Sequence, residues 1–168
     1  PGTEFYIPCV TMIDDHYVTY LHIFHTDPKD TMPRQNGTID VQLATSRDGI
    51  QWTRALNRQV FLPLGTKGSS DGGMVFLVSD PVLHQGQLRF YYSGWDDHHG
   101  TTKRKASIHL ATLRPDGYAS LEPEKQTGEL TTRPFKLEGS RLELNVDARQ
   151  GETRVSVLDA AGKTLAES

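Results

Sequence analysis

Two acidic residues, Glu4 and Asp71, each precede a β-rich run of the sequence. A pair of carboxyl groups can cleave a glycosidic bond, because one gives a proton to the leaving oxygen and the other acts as nucleophile or base. A separation of about 5–5.5 Å would favour retention of configuration, and about 6.5–9.5 Å would favour inversion. Glu4 and Asp71 are therefore candidate catalytic residues, and the alternative interpretation is that both are solvated turn acids.

The segment WDDHHG at 95–100 is the most unusual string of chemical groups in the chain. An indole ring can stack on a sugar, and carboxylates with imidazoles can bind sugar hydroxyls or a divalent metal such as Ca²⁺ or Zn²⁺. Adjacent side chains of an extended segment point in opposite directions, so about half of them can converge on one ligand. A solvated, hydrogen-bonded loop is the alternative. This segment adds two catalytic candidates, Asp97 and His99. The candidates for substrate binding, in the segment and around it, are Trp95, His98, His25 and Arg104. Asp96 with His98 is the candidate metal-binding pair, and no cofactor is expected to be required.

Short β-rich runs separated by turn residues must position these side chains, and no long stretch has helical periodicity. A first series of four runs is followed by a second, and Leu43-Ala44-Thr45 aligns with Leu110-Ala111-Thr112. Two units of four antiparallel strands are typical of β-propeller blades, and the alternative is one sandwich with a coincidental repeat. The predicted strands are 5–13, 17–25, 39–46 and 51–56, then 74–83, 87–93, 107–113 and 118–121.

Blade topology sorts the loops between two ends of the predicted sheets. The start of each first strand and the loop between the second and third strands share one end, which we call the loop end. It collects Glu4, Asp71, the 25–38 loop and the 94–105 loop, whereas tight turns with Asp15 and Asp116 occupy the turn end. Longer and richer loops indicate that the loop end carries function. His22 and His109 lie inside strands and are interpreted as packed side chains.

From about residue 129 the sequence alternates apolar and polar residues, which predicts half-buried strands at 130–137, 141–146 and 153–159. Three strands in about 40 residues do not form an independent sandwich. We therefore expect two domains, a partial β-propeller of about two blades at 1–126 and an incomplete C-terminal β-sandwich at 127–168. The expected fold class is all-β.

The strings VQLATSRDGIQWTR, LRFYYSGWDDHHG and HLATLRPDGYASL resemble the five-bladed β-propeller proteins related to glycoside hydrolases. These are the invertase-like, arabinanase-like and mannoside-phosphorylase-like enzymes. TGELTTRPFKLEGSRLELNV resembles the start of the β-sandwich that often follows such propellers. The resemblance implies a truncated piece of such a protein that acts on a carbohydrate, although the family's usual catalytic signatures are not intact here. The segment at 46–52 resembles the Asp-box of sialidases but lacks the residue between Asp48 and Gly49, so we interpret it as a turn.

Composition excludes other classes. Lys and Arg total 18 and Asp and Glu total 21, and the net charge of −3 argues against a basic nucleic-acid module. No apolar run approaches the roughly 20 residues of a membrane helix, and no signal peptide is recognised, so the chain is expected to be soluble with an unassigned location. The one cysteine, Cys9, forms no internal disulfide. Two blades leave open edges, which predicts a homo-oligomer that completes the partial propeller.

Three function classes follow from these observations. The first is a glycoside-hydrolase-like enzyme that uses carboxylate acid/base chemistry at the loop end. The second is a carbohydrate-binding or scaffolding module without turnover. The third is a metal-assisted hydrolase of esters or phosphoesters. Fold alone does not separate them, because function depends on the site.

Overall fold

The computed structural model describes residues 2–27, 29, 36–123, 127–136, 138–149 and 151–167. In these ranges the protein is all-β, with a 3₁₀ turn at Leu56–Arg58 and no α-helix. No helix of the described part is long and apolar enough to cross a membrane. The chain divides into two compact units, unit 1 at Pro1–Ser120 and unit 2 at Leu121–Ser168, and each is described by itself.

Unit 1 begins with an antiparallel meander that we call the first repeat. Its strands are β1 (Thr3–Ile13), β2 (His16–Thr26), β3 (Gly37–Ser46) and the short β4 (Thr53–Arg54), and β5 (Val60–Leu62) also pairs with β3. The first three predicted strands are present and are slightly longer than expected. The predicted strand at 51–56 is reduced to two residues, because the 3₁₀ turn follows directly.

The second repeat contains β6 (Met74–Phe76), β7 (Val82–His84), β8 (Gln87–Trp95) and β9 (Ala106–Leu113). The predicted strand at 74–83 is divided in two, and Pro81, which has no backbone N–H to donate, lies in the gap. β6 and β7 both pair with β8, and β9 pairs with its other edge. A parallel contact between Ile39 and Met74 joins the repeats in one mixed nine-stranded sheet.

The strand predicted at 118–121 is wrong. The structure shows a turn that ends at Tyr118 and no strand over residues 119–123. The physical reason is packing: the Tyr118 ring stacks on Phe61 at 5.8 Å and meets Phe90 edge-on at 6.1 Å. The residue is thereby turned into the core, and among the described residues β9 pairs with β8 alone.

The two repeats share their cross-strand register. Tyr20 lies opposite Leu43 in the first repeat, and Tyr91 lies opposite Leu110 in the second. We call the side of each repeat that carries this pair its front face, and the other side its back face. The Tyr20 ring meets the Phe90 ring of the second repeat's back face edge-on at 6.0 Å, so the main core forms between these two faces.

His22 connects the repeats inside this core. It is fully buried, its Nδ1 hydrogen bonds to the Ile7 carbonyl, and its Nε2 accepts the Leu77 N–H at 2.9 Å. Both ring nitrogens are thus used by a neutral imidazole, and burial lowers the pKa of His22. The prediction of a packed side chain describes this residue correctly.

Unit 2 contains a two-stranded antiparallel ribbon, β10 (Ser156–Leu158) with β11 (Thr164–Glu167). The predicted strands at 130–137 and 141–146 are wrong over their described residues, and residue 137 lies outside those residues. Their alternating apolar side chains, such as Phe135, Leu142 and Leu144, are exposed. Alternation makes a segment suitable for a half-buried strand, but a strand forms only where another strand satisfies its backbone.

Candidate functional site

The register brings the predicted loop end together. Thr3 pairs with His25, Met74 pairs with Trp95, and Ile39 runs parallel to Met74. The starts of β1, β3 and β6 therefore share one end of the sheet with the loops that follow β2 and β8. The two loops touch, because the His99 N–H donates to the Gly37 carbonyl at 2.8 Å. The tight turns with Asp15 and Asp116 lie at the opposite end.

Asp71 is a partly buried carboxylate with two hydroxyl donors. Ser69 Oγ donates to its Oδ1 at 2.7 Å, and the Tyr92 hydroxyl donates to its Oδ2 at 2.9 Å. The Ser69 hydrogen bond, the Tyr92 hydrogen bond and the charge of His109 hold the pKa of Asp71 below its usual value. Burial and the Asp71 contact raise the pKa of Tyr92 to about 12. At neutral pH the pair is an ionised carboxylate and a neutral phenol, which suits Asp71 to act as base or nucleophile.

His109 and Ser107 complete this group, which we call the Asp71 cluster. The His109 ring stacks on Tyr92 at 5.1 Å, and its Nε2 lies 2.8 Å from Ser107 Oγ. Tyr92 and Gly94 on β8 face His109 and Ser107 on β9, so all of them lie on the back face of the second repeat. From its place inside a strand, His109 is predicted to be a packed side chain, and neither Tyr92 nor Ser107 is among the site residues predicted from the sequence. The available signal was the spacing of Ser107 and His109, which puts both on one face of a strand.

His99 lies in a second group, the His99 cluster. Its Nε2 is 3.0 Å from the Tyr6 hydroxyl, and its ring packs on Tyr6 and Phe24 at centroid distances of 5.4 and 5.1 Å. Arg104 donates to the His99 carbonyl and to the Thr101 carbonyl, and its guanidinium lies 5.1 Å from the centre of the Trp95 ring. These contacts hold the 96–105 loop against the first repeat.

The structure does not bring Asp71 and His99 together. Ser93 and Trp95 face the front of β8, whereas Tyr92 and Gly94 face the back. Asp71 accepts a hydrogen bond from Tyr92 and so lies at the back of β8. Arg104 donates a hydrogen bond to the His99 carbonyl and packs on Trp95, and so lies at the front. The loop end therefore presents two separate groups of side chains.

The other candidates occupy local positions. Glu4 is exposed on β1 opposite Phe24, and so belongs to the side of the His99 cluster. Asp97 Oδ1 accepts the His98 N–H at 2.8 Å, and Asp96 Oδ1 accepts the Lys105 N–H at 2.7 Å. His98 Nδ1 accepts the Gly100 N–H at 3.2 Å. These bonds are those of a hydrogen-bonded loop.

The metal-binding pair predicted from the sequence is Asp96 with His98. Among the described residues, no group of three or more His, Cys, Asp or Glu side chains could hold a metal ion. Asp96 and His98, whose local partners are given above, thus remain a prediction.

His25 turns toward the interior of the first repeat. Its Nε2 lies 2.8 Å from Oδ2 of the buried Asp40, whose Oδ1 is 3.4 Å from Gln42 Nε2. Gln42 in turn accepts a hydrogen bond from Arg54. These hydrogen bonds give the buried Asp40 carboxylate its partners, and Nε2 of His25 is one of them.

Comparisons with protein-family models, with curated proteins and with solved structures find no match for this chain. The five-bladed propeller resemblance therefore remains a prediction.

Proposed function

We propose that this protein acts on a carbohydrate by carboxylate chemistry at the loop end, as a glycoside-hydrolase-like enzyme with Asp71 as its ionised base or nucleophile. The observation that carries this proposal is the Asp71 carboxylate, which is held ionised by two hydroxyl donors at the end of the sheet where the long loops meet. Trp95 lies at the same end of the sheet but on the front of β8 with Arg104, so its stacking on a sugar stays a separate prediction.

The β-propeller architecture is part of the same proposal. The shared register of the two repeats supports it, because blades are repeated four-stranded meanders that pack face to face. The observed front-to-back contact between Tyr20 and Phe90 is the type of contact that consecutive blades make. Such an arrangement positions the first strand of each repeat near a common axis, where Asp71 precedes β6.

A panel of chromogenic glycosides and esters, assayed with and without chelator, tests the proposal. We expect glycoside turnover that is insensitive to chelator, and a loss of at least about tenfold in Asp71→Asn, since general acid–base groups contribute about 10²–10⁴-fold. Asp116→Asn, at the turn end, is the matched control and should leave turnover unchanged.

Each other outcome supports a different class. Chelator-sensitive ester cleavage would overturn the proposal in favour of a metal-assisted hydrolase. Carbohydrate binding without turnover would favour a binding module. Equal losses in Asp71→Asn and Asp116→Asn would show that the loop end is not the site.

We also propose that the chain forms a homo-oligomer through the front face of the second repeat. Tyr91, Ile108 and Leu110 are 48%, 76% and 49% exposed, whereas their counterparts Tyr20, Val41 and Leu43 are buried by the second repeat. Exposed apolar patches of this kind mark interaction surfaces, and a second copy supplies a complementary sheet. Light scattering at micromolar concentration should show a dimer or larger species that Ile108→Lys dissociates. A well-folded wild-type monomer near 18.8 kDa would overturn this proposal.

A further inference from the structure

We propose that His109 is the proton donor that complements Asp71, so that the acid/base pair of the loop end is an imidazole and a carboxylate rather than two carboxylates. This inference rests on the proposed function. It replaces the expected second acid, Glu4, which lies opposite Phe24 on the side of the His99 cluster and not in the group around Asp71.

Gly94 shows how closely the two side chains approach. A Cβ atom at Gly94 would lie 2.6 Å from Asp71 Cβ and 2.7 Å from His109 Nε2. Asp71 Cβ and His109 Nε2 both lie close to this one position, so the distance between them is no larger than the sum of the two values. The absent side chain at position 94 thus lets the Asp71 and His109 side chains approach each other over β8.

The hydrogen bonds around Ser107 indicate which nitrogen carries a proton. Ser107 Oγ has one hydrogen, and the Ser70 carbonyl, an acceptor only, lies 3.3 Å from it. When the hydroxyl donates to that carbonyl, the bond of 2.8 Å to His109 Nε2 requires the nitrogen to donate. The arrangement therefore accommodates a proton on Nε2, and the nearby His109 ring is one of the groups that lower the pKa of Asp71, after the Ser69 and Tyr92 hydrogen bonds.

The chemical step balances with these two groups alone. Asp71 accepts a proton from a water molecule, whose oxygen forms a bond to the anomeric carbon. The bond from that carbon to the leaving oxygen breaks, and the leaving oxygen takes the proton of the His109 imidazolium. Solvent then returns the proton from Asp71 to His109. If Asp71 instead attacks the anomeric carbon and forms a covalent intermediate, His109 gives its proton to the leaving oxygen in the same way.

Leaving-group dependence tests the role of His109. A group that protonates the leaving oxygen matters for poor leaving groups and matters little for acidic ones. We therefore compare methyl or 4-methylumbelliferyl glycosides with dinitrophenyl glycosides of the same sugar, in the full chain. We expect His109→Gln to lose at least about tenfold more kcat/KM on the poorer leaving group than on the dinitrophenyl glycoside.

The controls separate chemistry from folding. His84→Gln, at the exposed end of β7, is the matched histidine and should behave as wild type on both substrates. Ser107→Ala keeps the imidazole and the fold if His109→Gln fails to fold, and should show the same substrate preference to a smaller degree. Tyr91→Phe, on the opposite face of β8 from Tyr92, should change neither substrate.

The outcomes distinguish this inference from the function on which it rests. Equal losses on both substrates in His109→Gln and in Ser107→Ala would overturn the role of His109 and leave glycoside hydrolysis by Asp71 intact. Wild-type protein that cleaves no glycoside of either type would overturn both.

Discussion

The same pair of side chains has different surroundings in the two repeats. Tyr20 and Leu43 face each other across β2 and β3 and are almost completely buried, whereas Tyr91 and Leu110 face each other across β8 and β9 and are half exposed. The local sequence and the pairing are alike, so neither explains the difference. What differs is the neighbour: the back face of the second repeat covers the front of the first. Burial is therefore a property of the stacking of the repeats and not of either meander.

The largest expected effect comes from truncating the matched leucines. Leu43→Ala should lower the free energy of unfolding by about 2–5 kcal/mol, because it leaves a cavity in a packed core. Leu110→Ala should change it by less than about 0.5 kcal/mol in the monomer, because this side chain is half exposed. Denaturant titration of both variants at nanomolar protein concentration makes the measurement.

Protein concentration sharpens this first comparison. If a second copy covers Tyr91 and Leu110, the cost of Leu110→Ala should grow as the concentration rises, since association stabilises the folded chain by mass action. Similar costs for the two leucines in the monomer would show that the repeats do not differ in burial as described.

The next effect concerns His22, whose counterpart in the second repeat is Ser93. Burial keeps the pKa of His22 below its usual value, so the folded state favours the neutral ring. The pKa of a histidine in an unfolded chain is about 6.5, so the unfolded state binds a proton before the folded state does as the pH falls. The His22 contribution to stability should be complete above about pH 6.5 and decrease as the pH falls toward the lowered pKa of the folded state.

Urea unfolding at about pH 7.5 and 5.5 measures this dependence. Wild-type protein should lose more stability between these values than His22→Gln does. His84→Gln, which removes an exposed histidine, should retain the wild-type difference. A His22→Gln variant with the full wild-type dependence would show that other groups cause it.

The smallest effect separates the two Asp-Gly turns. Asp48 Oδ1 accepts the Ile50 and Gln51 N–H groups at 2.9 and 2.8 Å and the Ser46 hydroxyl at 3.0 Å. These bonds, led by the one from Gln51, lower the pKa of Asp48. Asp48→Asn should lower the melting temperature by less than about 4 °C, and Asp116→Asn should leave it unchanged. Calorimetry measures both melting temperatures. An equal decrease in the two variants would mean that the side-chain hydrogen bonds of Asp48 do not stabilise its turn.

The predictable part of the fold is what alternation and turn chemistry encode locally. The strand expected at 17–25 is β2, His16–Thr26, and the predicted hairpin of β1 with β2 is present. The strand expected at 118–121 failed because a long-range contact, Tyr118 with Phe61 and Phe90, determines that segment. In unit 2 the alternation around Leu142 and Leu144 describes an amphipathic segment and does not specify a partner strand.

The candidate site also divides into residues that local sequence predicts and residues that long-range contacts determine. Asp71 could be selected because its place before a strand follows from local sequence. Its partners Tyr92 and His109 could not, because they meet through the register of β8 and β9 and through the space left at Gly94. The grouping of Asp71 with His99 is not observed, since topology assigns residues to an end of a sheet but cross-strand register assigns them to a face.

The hydrogen bond from Leu77 to His22 has a further consequence for how the molecule opens. This N–H group donates to a buried imidazole on a strand of the other repeat, 55 residues away in sequence. Its exchange with solvent deuterium requires the two repeats to separate, whereas amides inside either meander exchange when that meander alone opens. The Leu77 amide is therefore a single-site reporter of whether the repeats unfold as one cooperative unit or as two.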